Sequence, residues 1–583
     1  MKIIRDIIAD QFVIPWYQRD YAWEKEHVIA LIDDFIDSMN GSYTHYVSSI
    51  ILMSREKNRK DLIDGQQRLT TIVMLLKALA DELDDESFSS KSVIQKLWSV
   101  DNKGEFIFST PGEVNVNVKF LEMLLLDVKM KPKTQAQTNY ERQYRNIQDR
   151  LRDFDTESIP TLIDTILNSE ATIHEVNNII EANRIFLTLN SRGKPLTYAE
   201  KIKALLIYHA AKIDDPPYPL SERVHEQFCK VTSTYHDINN AITINRIKIR
   251  TDGGIDEDML LGWHYCFLRQ RNNLPTAKVT FGLIRDELNA CTDPDVKREF
   301  IERYISSVVS FFSAFEDIIH KSTQDALFYE IIVICRLSAY IWPALVALQH
   351  RGLLEGEFPL KNNPLKLIKL MQLIDKVHRL SNVQGIGVIR LSHQIFNEEL
   401  SPRQIIDALV DYHNEKWFNP PHTLPFEFIE SKQDYISYLL FDATTDDCKR
   451  SNIDFLRAYK KINATPIQVL TIAPNMRIRD FGIGKRIDIG SVCNSLGNYV
   501  LIPGELIDDI NVFIQGRGNP LPTELKEKFL ALENTDCLQN THEVFELIEA
   551  DTDMNREFIE NRYAEIFNRL TERWISPFTV DAE

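Results

Sequence analysis

The chain has 583 residues, of which 44% are hydrophobic and 26% are charged, and its formal net charge is −18. This length exceeds what one ordinary hydrophobic core supports, so we expect two or three domains of a soluble globular protein. The sequence argues against a membrane or secreted protein, because no apolar run is long enough to cross a bilayer and residues 1–6 do not resemble a signal peptide.

Seven cysteines are scattered along the chain, and no two of them form a CxxC pair. Their odd number argues against a complete disulfide framework, and their spacing argues against a zinc ribbon. We therefore expect reduced thiols and a cytoplasmic location.

The negative net charge argues against simple nucleic-acid binding, because contacts to phosphate need local positive charge. A global sum does not exclude a local basic face, however. Three basic segments are candidates for such a face, although a solvated helix surface is the more ordinary interpretation of each one alone: residues 129–152, 246–250 and 477–486.

The N-terminal third combines strand and helix patterns. Residues 46–53 are rich in β-forming side chains, and a charged turn separates them from a second apolar run at Leu62 and Ile63. This arrangement predicts a β-hairpin. Apolar side chains then recur at helical spacing and predict an amphipathic helix over about residues 67–83.

The rest of the chain changes character twice. Helical periods dominate residues 140–430, whereas β-like runs at 467–472 and 499–502 precede a last amphipathic helix over 555–574. The predicted fold class is α+β and mostly helical. The predicted domains are an N-terminal domain (1–210), a helical middle domain (211–430) and a C-terminal domain (431–583).

The first of three conspicuous motifs is Ile-Pro-Trp-Tyr-Gln-Arg-Asp-Tyr-Ala-Trp at residues 14–23. Pro15 favours an extended backbone, and a cluster of aromatic rings around Gln18 and Arg19 follows it. Such a cluster can stack a base and present a forked cation to phosphate. The alternative interpretation is an aromatic core patch with a surface arginine.

The second motif, Ile-Asp-Gly-Gln-Gln-Arg-Leu-Thr-Thr at residues 63–71, lies where the predicted hairpin meets the helix. Gly65 allows close approach of a ligand, and a helix start presents free N–H groups with partial positive charge. Arg68 and Thr70 can bind phosphate oxygens, and Asp64 can hold a magnesium ion. This is not a Walker A loop, and a helix start capped by Asp64 is an equal alternative.

The third motif, at residues 185–203, contains an Asn-x-x-Gly turn followed by a predicted helix start. Thr197 and Glu200 have the spacing of a capping box. This structural interpretation leaves Asn190 and Lys203 without an assigned role.

In this order, the three motifs resemble the N-terminal ParB-like domain of the GmrSD restriction family over roughly residues 1–210. The shared patterns are IPxYQRxYxW, DGQQRLTT and LNxRGxPLTxxxxIK, and the DGQQR match is complete. The resemblance implies that this domain binds and hydrolyses a nucleoside triphosphate, with Mg²⁺ as the expected metal ion. Two positions depart from the family pattern, since Ser48 replaces a glycine and Glu200 replaces an aspartate.

The resemblance and the chemistry of the side chains together assign roles within the motifs. The expected catalytic residues are Asp64, Gln66, Gln67 and Arg68. The expected nucleotide-binding residues are Gln18, Arg19, Gly65, Thr70, Asn190 and Lys203.

The C-terminal segment, residues 431–583, resembles the HNH-type nuclease domain with a ββα-metal fold that GmrSD-like proteins often carry. Thr471 occupies the place of the histidine general base, and a threonine hydroxyl does not accept a proton at neutral pH without the help of another base. Asp508 follows the position at which the metal-binding asparagine is usual. We interpret the domain as a degenerate nuclease without assigned metal ligands, whose remnant site comprises Thr471, Asn498 and Asp508.

Three functions are compatible with these patterns. The leading hypothesis is a nucleotide-dependent component of DNA restriction or antiviral defence, which hydrolyses NTP and engages foreign DNA such as modified phage DNA. The alternatives are a non-catalytic DNA- or protein-binding regulator switched by nucleotide, and an active metal-dependent endonuclease. Expected partners are DNA, a separate nuclease subunit and a second copy of the chain, and no membrane is expected.

Overall fold

A computed structural model describes most of the chain. The described residues are 1–14, 21–41, 43–54, 59–83, 106–109, 116–176, 181, 196–214, 218–249, 255–360, 363–381, 386–417, 433–463, 465–468, 499–509, 522–533, 537–549 and 556–574. The chain divides into two compact units, of which the first comprises Met1–Thr232 and Ala277–Ser306 and the second comprises Ser233–Thr276 and Ser307–Glu583.

A six-stranded mixed sheet lies in the first unit and is formed by β1 (Lys2–Ile3), β2 (Gln11–Val13), β3 (Tyr46–Ser54), β4 (Arg59–Asp64), β5 (Phe108–Ser109) and β6 (Glu170–Val176). The strand order is β1-β6-β3-β4-β2-β5. β2 runs parallel to both β4 and β5, β6 runs parallel to β3, and the remaining neighbours are antiparallel. Because β2 and β4 are parallel, their carboxyl ends meet at the same edge of the sheet.

The predicted hairpin is confirmed and contains an irregularity. β3 pairs antiparallel with β4, from Ser54 opposite Lys60 to Ile51 opposite Asp64, and the register shifts between Ile51 and Leu52. Such a bulge bends a strand and redirects the residues beyond it. Here the residues beyond the bulge lead from β4 into the next helix.

Most of the other described residues are helical. Up to residue 324 the helices are α1 (Ile4–Ile7), α2 (Lys25–Gly41), α3 (Gln66–Asp81), α4 (Val116–Leu125), α5 (Gln135–Leu151), α6 (Ile159–Asn168), α7 (Tyr198–Ile213), α8 (Pro219–Ile244), α9 (Glu257–Leu268), α10 (Ala277–Ala290) and α11 (Pro294–Gln324). Short 3₁₀ turns lie at Thr156–Ser158, Ala339–Ile341 and Gly504–Leu506.

The later helices are α12 (Ala326–Phe328), α13 (Trp342–His350), α14 (Leu367–Ser381), α15 (Ile386–Phe396), α16 (Pro402–Trp417), α17 (Gln433–Thr444), α18 (Asp447–Arg450), α19 (Ile453–Ile462), α20 (Pro522–Ala531), α21 (Gln539–Glu549) and α22 (Arg556–Trp574). A π-helical segment covers Tyr329–Ile334, and a small antiparallel hairpin is formed by β7 (Glu357–Leu360) and β8 (Asn363–Lys366). The predicted α+β, mostly helical class is confirmed. None of the described helices combines the length and apolar content needed to cross a membrane.

The helix predicted over residues 67–83 is confirmed as α3, but its surroundings differ from the prediction. Every residue of α3 except Arg68 and Asp81 is buried, so the helix is covered on nearly all sides rather than amphipathic. It packs against α5 and α6, and its apolar side chains join the core of the first unit. The start of α3 is therefore held firmly by its packing.

The predicted capping box is present at the start of α7. The Glu200 N–H donates to Thr197 Oγ1 at 3.2 Å, and the Thr197 N–H donates to Glu200 Oε2 at 2.9 Å. Glutamate at this position reaches back to the N-cap backbone, which gives the departure from the family aspartate a structural role.

An aromatic core lies in the second unit. Trp263 of α9 stacks on Trp342 of α13 with ring centroids 5.8 Å apart, and Phe267 meets Phe311 edge to face at 5.0 Å. His264 is fully buried in this core, with its Nε2 2.9 Å from Ser307 Oγ.

A buried ionic network joins the π-helical segment to α14, α17 and α18. Arg450 contacts both Glu330 and Asp442, and Lys376 Nζ lies 2.7 Å from Asp442 Oδ2. Burial lowers the pKa of Lys376 to about 8, and the negative charge of Asp442 opposes this shift because it favours the protonated lysine. Because removing one partner of a buried pair leaves an uncompensated charge, these segments are strongly coupled. The network joins residues on both sides of the domain boundary predicted at 430/431. The predicted domain boundaries stay predictions.

The predicted C-terminal strand at 499–502 is confirmed, whereas the run predicted at 467–472 is described only to Gln468, where it overlaps a strand that begins at Thr465. β9 (Thr465–Gln468) pairs antiparallel with β10 (Tyr499–Ile502), and the predicted last helix is α22. Residues 469–498 lie outside the described part of the chain. The assignments of this segment to an HNH-like fold and of the N-terminal segment to a ParB-like fold stay predictions.

Candidate functional site

The second motif forms a sharp turn from β4 into α3. Gly65 is the N-cap residue with φ 98° and ψ 0°, and an added Cβ would lie 3.1 Å from Ile50 Cγ1. Glycine adopts this backbone conformation without the strain that a side chain brings. The first helical hydrogen bond runs from the Leu69 N–H to the Gly65 carbonyl at 2.9 Å. The N–H groups of residues 66–68 therefore have no partner within the helix, and the helix dipole adds partial positive charge there.

Asp64 and Arg68 flank this helix start. Arg68 Nη2 lies 3.5 Å from Asp64 Oδ2, and Arg68 Nη1 lies 3.3 Å from the Val47 carbonyl. Each charged side chain is 20% exposed. Both contacts are longer than the roughly 2.7–2.9 Å of a strong charge-assisted hydrogen bond, so an anion can compete for the guanidinium. Gly65 occupies the N-cap position, and the alternative with Asp64 as the cap is therefore wrong.

Ser48 has a backbone conformation that usually requires glycine. Its φ is 115°, and it follows a shift in the pairing of β3 with β6 between Tyr46 and Ser48. The preceding residue, Val47, offers its carbonyl to Arg68. This geometry explains the glycine of the family pattern, because a left-handed backbone strains any L side chain.

The end of the first motif is hydrogen-bonded to the first turns of α3. The Ala22 N–H donates to Gln67 Oε1 at 2.8 Å, and Tyr21 Oη lies 2.8 Å from Thr71 Oγ1. Thr71 Oγ1 donates its own hydrogen to the Gln67 carbonyl. In the bond between Tyr21 and Thr71, the Tyr21 hydroxyl is therefore the donor. Burial raises the pKa of Tyr21 well above its usual value, which keeps this donor protonated.

Two polar side chains of α3 are buried without a hydrogen-bond partner among the described residues. They are Gln66, through Oε1, and Thr70, through Oγ1, and they are 6% and 0% exposed. Their i, i+4 spacing places them on one face of the helix. A buried polar atom without a partner costs about 1–3 kcal/mol, so both are unusual in a purely structural helix start.

Gln18 and Arg19 lie outside the described residues, whereas the preceding strand β2 is described. β2 ends at Val13, opposite Asp61 of the parallel strand β4, and β4 continues to Asp64. The end of β2 therefore lies at the same sheet edge at which β4 ends and α3 begins. The described residues thus link the first and second motifs.

Of the expected binding residues in the third motif, only Lys203 is among the described residues. Asn190 lies outside the described residues, and β6, the strand before it, ends at Val176 beside Met53, away from the edge where α3 begins. Lys203 lies on α7, where it helps burial to lower the pKa of His225 to about 2. No contact in the described part of the chain joins Lys203 to Asp64 or Arg68.

Of the C-terminal site residues, only one can be located. Thr471 and Asn498 lie outside the described residues. Asp508 is exposed after the short turn Gly504–Leu506, and the neighbouring Asp509 pairs with Lys528 at 2.8 Å. A nuclease site at these positions stays a prediction.

Sequence reasoning did not identify the anchor of the first motif. Tyr21 stacks on Tyr140 with centroids 4.9 Å apart, and Asn139 Nδ2 donates to the Tyr21 carbonyl at 3.0 Å. The available signal was the i, i+4 spacing of Gln67 and Thr71, which puts both side chains on one face of α3. Their partners come from distant segments, and helical spacing does not reveal them.

Comparison with known proteins concerns this same region. Residues 2–207 match the family model described as GmrSD restriction endonuclease, N-terminal domain. The match covers about a third of the chain and includes all three motifs. No curated protein matches the chain. Within the described residues, no group of three or more His, Cys, Asp or Glu side chains could hold a metal ion.

Proposed function

Because residues 2–207 form an N-terminal domain of the GmrSD restriction family, we propose that this protein is a nucleotide-dependent component of DNA restriction and antiviral defence. A nucleoside triphosphate binds at the start of α3 and is hydrolysed there. Its binding controls the engagement of foreign DNA. Cleavage of that DNA falls to a partner nuclease subunit.

The start of α3 is the observation that carries this proposal. N–H groups that have no partner within the helix, the helix dipole and a loosely held guanidinium at Arg68 meet at one partly exposed point. Gln66 and Thr70 add buried polar atoms that lack described partners. If this helix start served only the fold, the buried Gln66 and Thr70 side chains would be expected to have hydrogen-bond partners within the protein.

The side chains around the start of α3 have different roles in binding the nucleotide. Arg68 neutralises phosphate charge, and Asp64 is a suitable single carboxylate for Mg²⁺ carried by the nucleotide, since magnesium commonly uses one or two carboxylates together with phosphates. Gln67 holds the first motif in place through Ala22, at 2.8 Å. Gln18 and Arg19 are assigned to nucleotide binding from the sequence, and the Ala22–Gln67 bond joins the described end of their motif to α3.

Replacing Arg68 by alanine tests the proposal. A charge-assisted hydrogen bond contributes about 1.5–3 kcal/mol, so Arg68→Ala is expected to weaken binding of ATP or GTP with Mg²⁺ by about 10- to 100-fold. Isothermal titration calorimetry on the full chain measures this loss. The fold should persist, because the two contacts of Arg68 are long.

Arg5→Ala is the matched control for this titration. Arg5 also lies in the first unit, is 35% exposed and has one long contact, 3.4 Å to Asp164. This variant should bind nucleotide like the unaltered protein. Normal affinity in Arg68→Ala, or no binding by the unaltered protein to any common triphosphate, contradicts the assignment of the site.

Phosphate release separates a hydrolase from a nucleotide-switched regulator. We expect the full chain to release phosphate from its triphosphate, and we expect DNA to change the rate. Binding without release, under conditions in which calorimetry shows saturation, would favour the regulator.

A further inference from the structure

The segment between α4 and α5 carries three lysines at alternate positions, Lys129, Lys131 and Lys133, and residues 128–133 are named the lysine loop. All three side chains are exposed. None of them makes an ion pair or side-chain hydrogen bond to another described residue. In a chain with a net charge of −18, such a concentration of uncompensated cations is a local positive surface.

The lysine loop is anchored at both ends. Before it, Asp127 adopts a left-handed backbone with φ 59° and pairs with the buried Lys77 at 3.1 Å. At its end, the Lys133 N–H donates to Gln137 Oε1 at 2.7 Å, and Thr134 caps α5. A fixed loop loses little conformational freedom when a partner binds, which favours association.

Most charged side chains of the adjoining helices are compensated, in contrast to the loop. Their cations pair with nearby acids as Lys119–Glu122, Arg145–Glu141, Arg150–Asp33 and Arg152–Asp149. The basic segment at residues 129–152 therefore separates into a helix whose cations are mostly paired with acids and a loop whose lysines are not. Arg142 is the exception on the helix, because its Nη2 donates to the amide oxygen of Asn139 at 2.7 Å and no described acid pairs with it. All three lysines of the loop are available to an external anion.

We propose that the lysine loop binds the phosphate backbone of duplex DNA. The inference rests on the proposed engagement of DNA and adds the surface that performs it. Repeated unpaired lysines suit a polymer with regularly spaced negative charges. Val128, just before Lys129, and Met130, between Lys129 and Lys131, are 47% and 48% exposed and offer apolar contact beside the lysines. Phosphate contacts carry no sequence information, so the loop binds modified and unmodified duplexes alike.

The test is a salt titration of DNA binding by the full chain. A variant with Lys129→Gln, Lys131→Gln and Lys133→Gln is compared with the unaltered protein by fluorescence anisotropy on labelled duplexes. Each lost phosphate contact lowers the slope of log affinity against log salt by about 0.9, so the expected decrease is about 2.7. Affinity near 0.1 M salt should fall by at least about tenfold on both modified and unmodified duplexes.

The matched control removes three other cations from the same unit, by Lys119→Gln, Arg145→Gln and Arg152→Gln. It changes the net charge equally but should keep the slope, because each of those side chains is paired. An unchanged slope in the loop variant, with DNA binding by the unaltered protein intact, overturns the loop and leaves the proposed function standing. Absence of DNA binding by the unaltered protein overturns both. Loss of binding to phosphatidylserine vesicles with DNA binding retained assigns the loop to lipid and also overturns the proposal.

Discussion

Ser48 shows how one residue carries strain beside the candidate site. Its φ of 115° lies where L side chains are disfavoured by about 1–2 kcal/mol, and the preceding carbonyl contacts Arg68. Residues in such conformations often cluster at functional sites. The serine therefore retains a backbone shape that a glycine would adopt freely.

Ser48→Gly is expected to stabilise the first unit by roughly 0.5–1 kcal/mol, because relief of strain exceeds the entropy lost on ordering a glycine. Thermal unfolding and amide exchange in β3 measure the change. The neighbouring Ser49→Gly is the control, since Ser49 has no positive φ and glycine within a strand is destabilising by roughly 0.5–1 kcal/mol. Equal effects of the two substitutions would contradict the strain at Ser48.

At the level of elements, the junction between β4 and α3 depends on Gly65. A bulge in the hairpin redirects the end of β4, and a left-handed N-cap then starts a helix that is buried on nearly every side. The site is positioned by this junction, because the N–H groups of residues 66–68 point where the turn directs them.

Gly65→Ala is expected to lower both the thermal stability of the first unit and its nucleotide affinity. Alanine at φ 98° is strained by about 1–2 kcal/mol, and its Cβ would lie only 3.1 Å from Ile50 Cγ1. Scanning fluorimetry and calorimetry measure the two effects.

Gly282→Ala on α10 is the control for this substitution. An added Cβ there meets nothing within 4 Å, and alanine in a helix gains up to about 1 kcal/mol over glycine. Opposite shifts in melting temperature are therefore expected. A neutral effect of Gly65→Ala on both readouts would show that the turn tolerates a side chain.

For the whole molecule, stability is expected to depend on pH through buried histidines. His264 is fully buried, and this burial lowers its pKa from 6.5 to about 3. Between about pH 3 and pH 6.5, His264 is therefore protonated in the unfolded chain but neutral in the folded chain. The free energy of unfolding consequently falls as the pH falls through 6.5. Between pH 7 and pH 5 the loss attributable to His264 is about 2 kcal/mol.

His264→Phe should reduce the dependence of the free energy of unfolding on pH between pH 5 and pH 7, whatever its effect on absolute stability. Urea unfolding of the second unit measures this dependence. His320→Phe is the control, because His320 is 56% exposed. If the slopes between pH 5 and pH 7 are the same in both variants, His264 does not contribute as expected.

Local patterns predicted many of the elements and the family match of the N-terminal segment. Apolar spacing predicted α3 and α22, β-forming runs predicted the hairpin, and the pair Thr197 and Glu200 predicted a capping box. These features depend on neighbours within a few residues, which the sequence displays directly. The motif order likewise predicted the family match over residues 2–207.

The contacts that build the site join segments far apart in the chain, and only the tertiary structure decided them. Gln67 binds the backbone of Ala22, Asn139 holds Tyr21, and Ser48 takes a glycine-like conformation at a bulge. The same holds for the basic segment, where the distant Asp33 pairs with Arg150 but no described acid pairs with the lysine loop. Pairing between remote residues depends on strand register and helix packing, which no local period of side chains specifies.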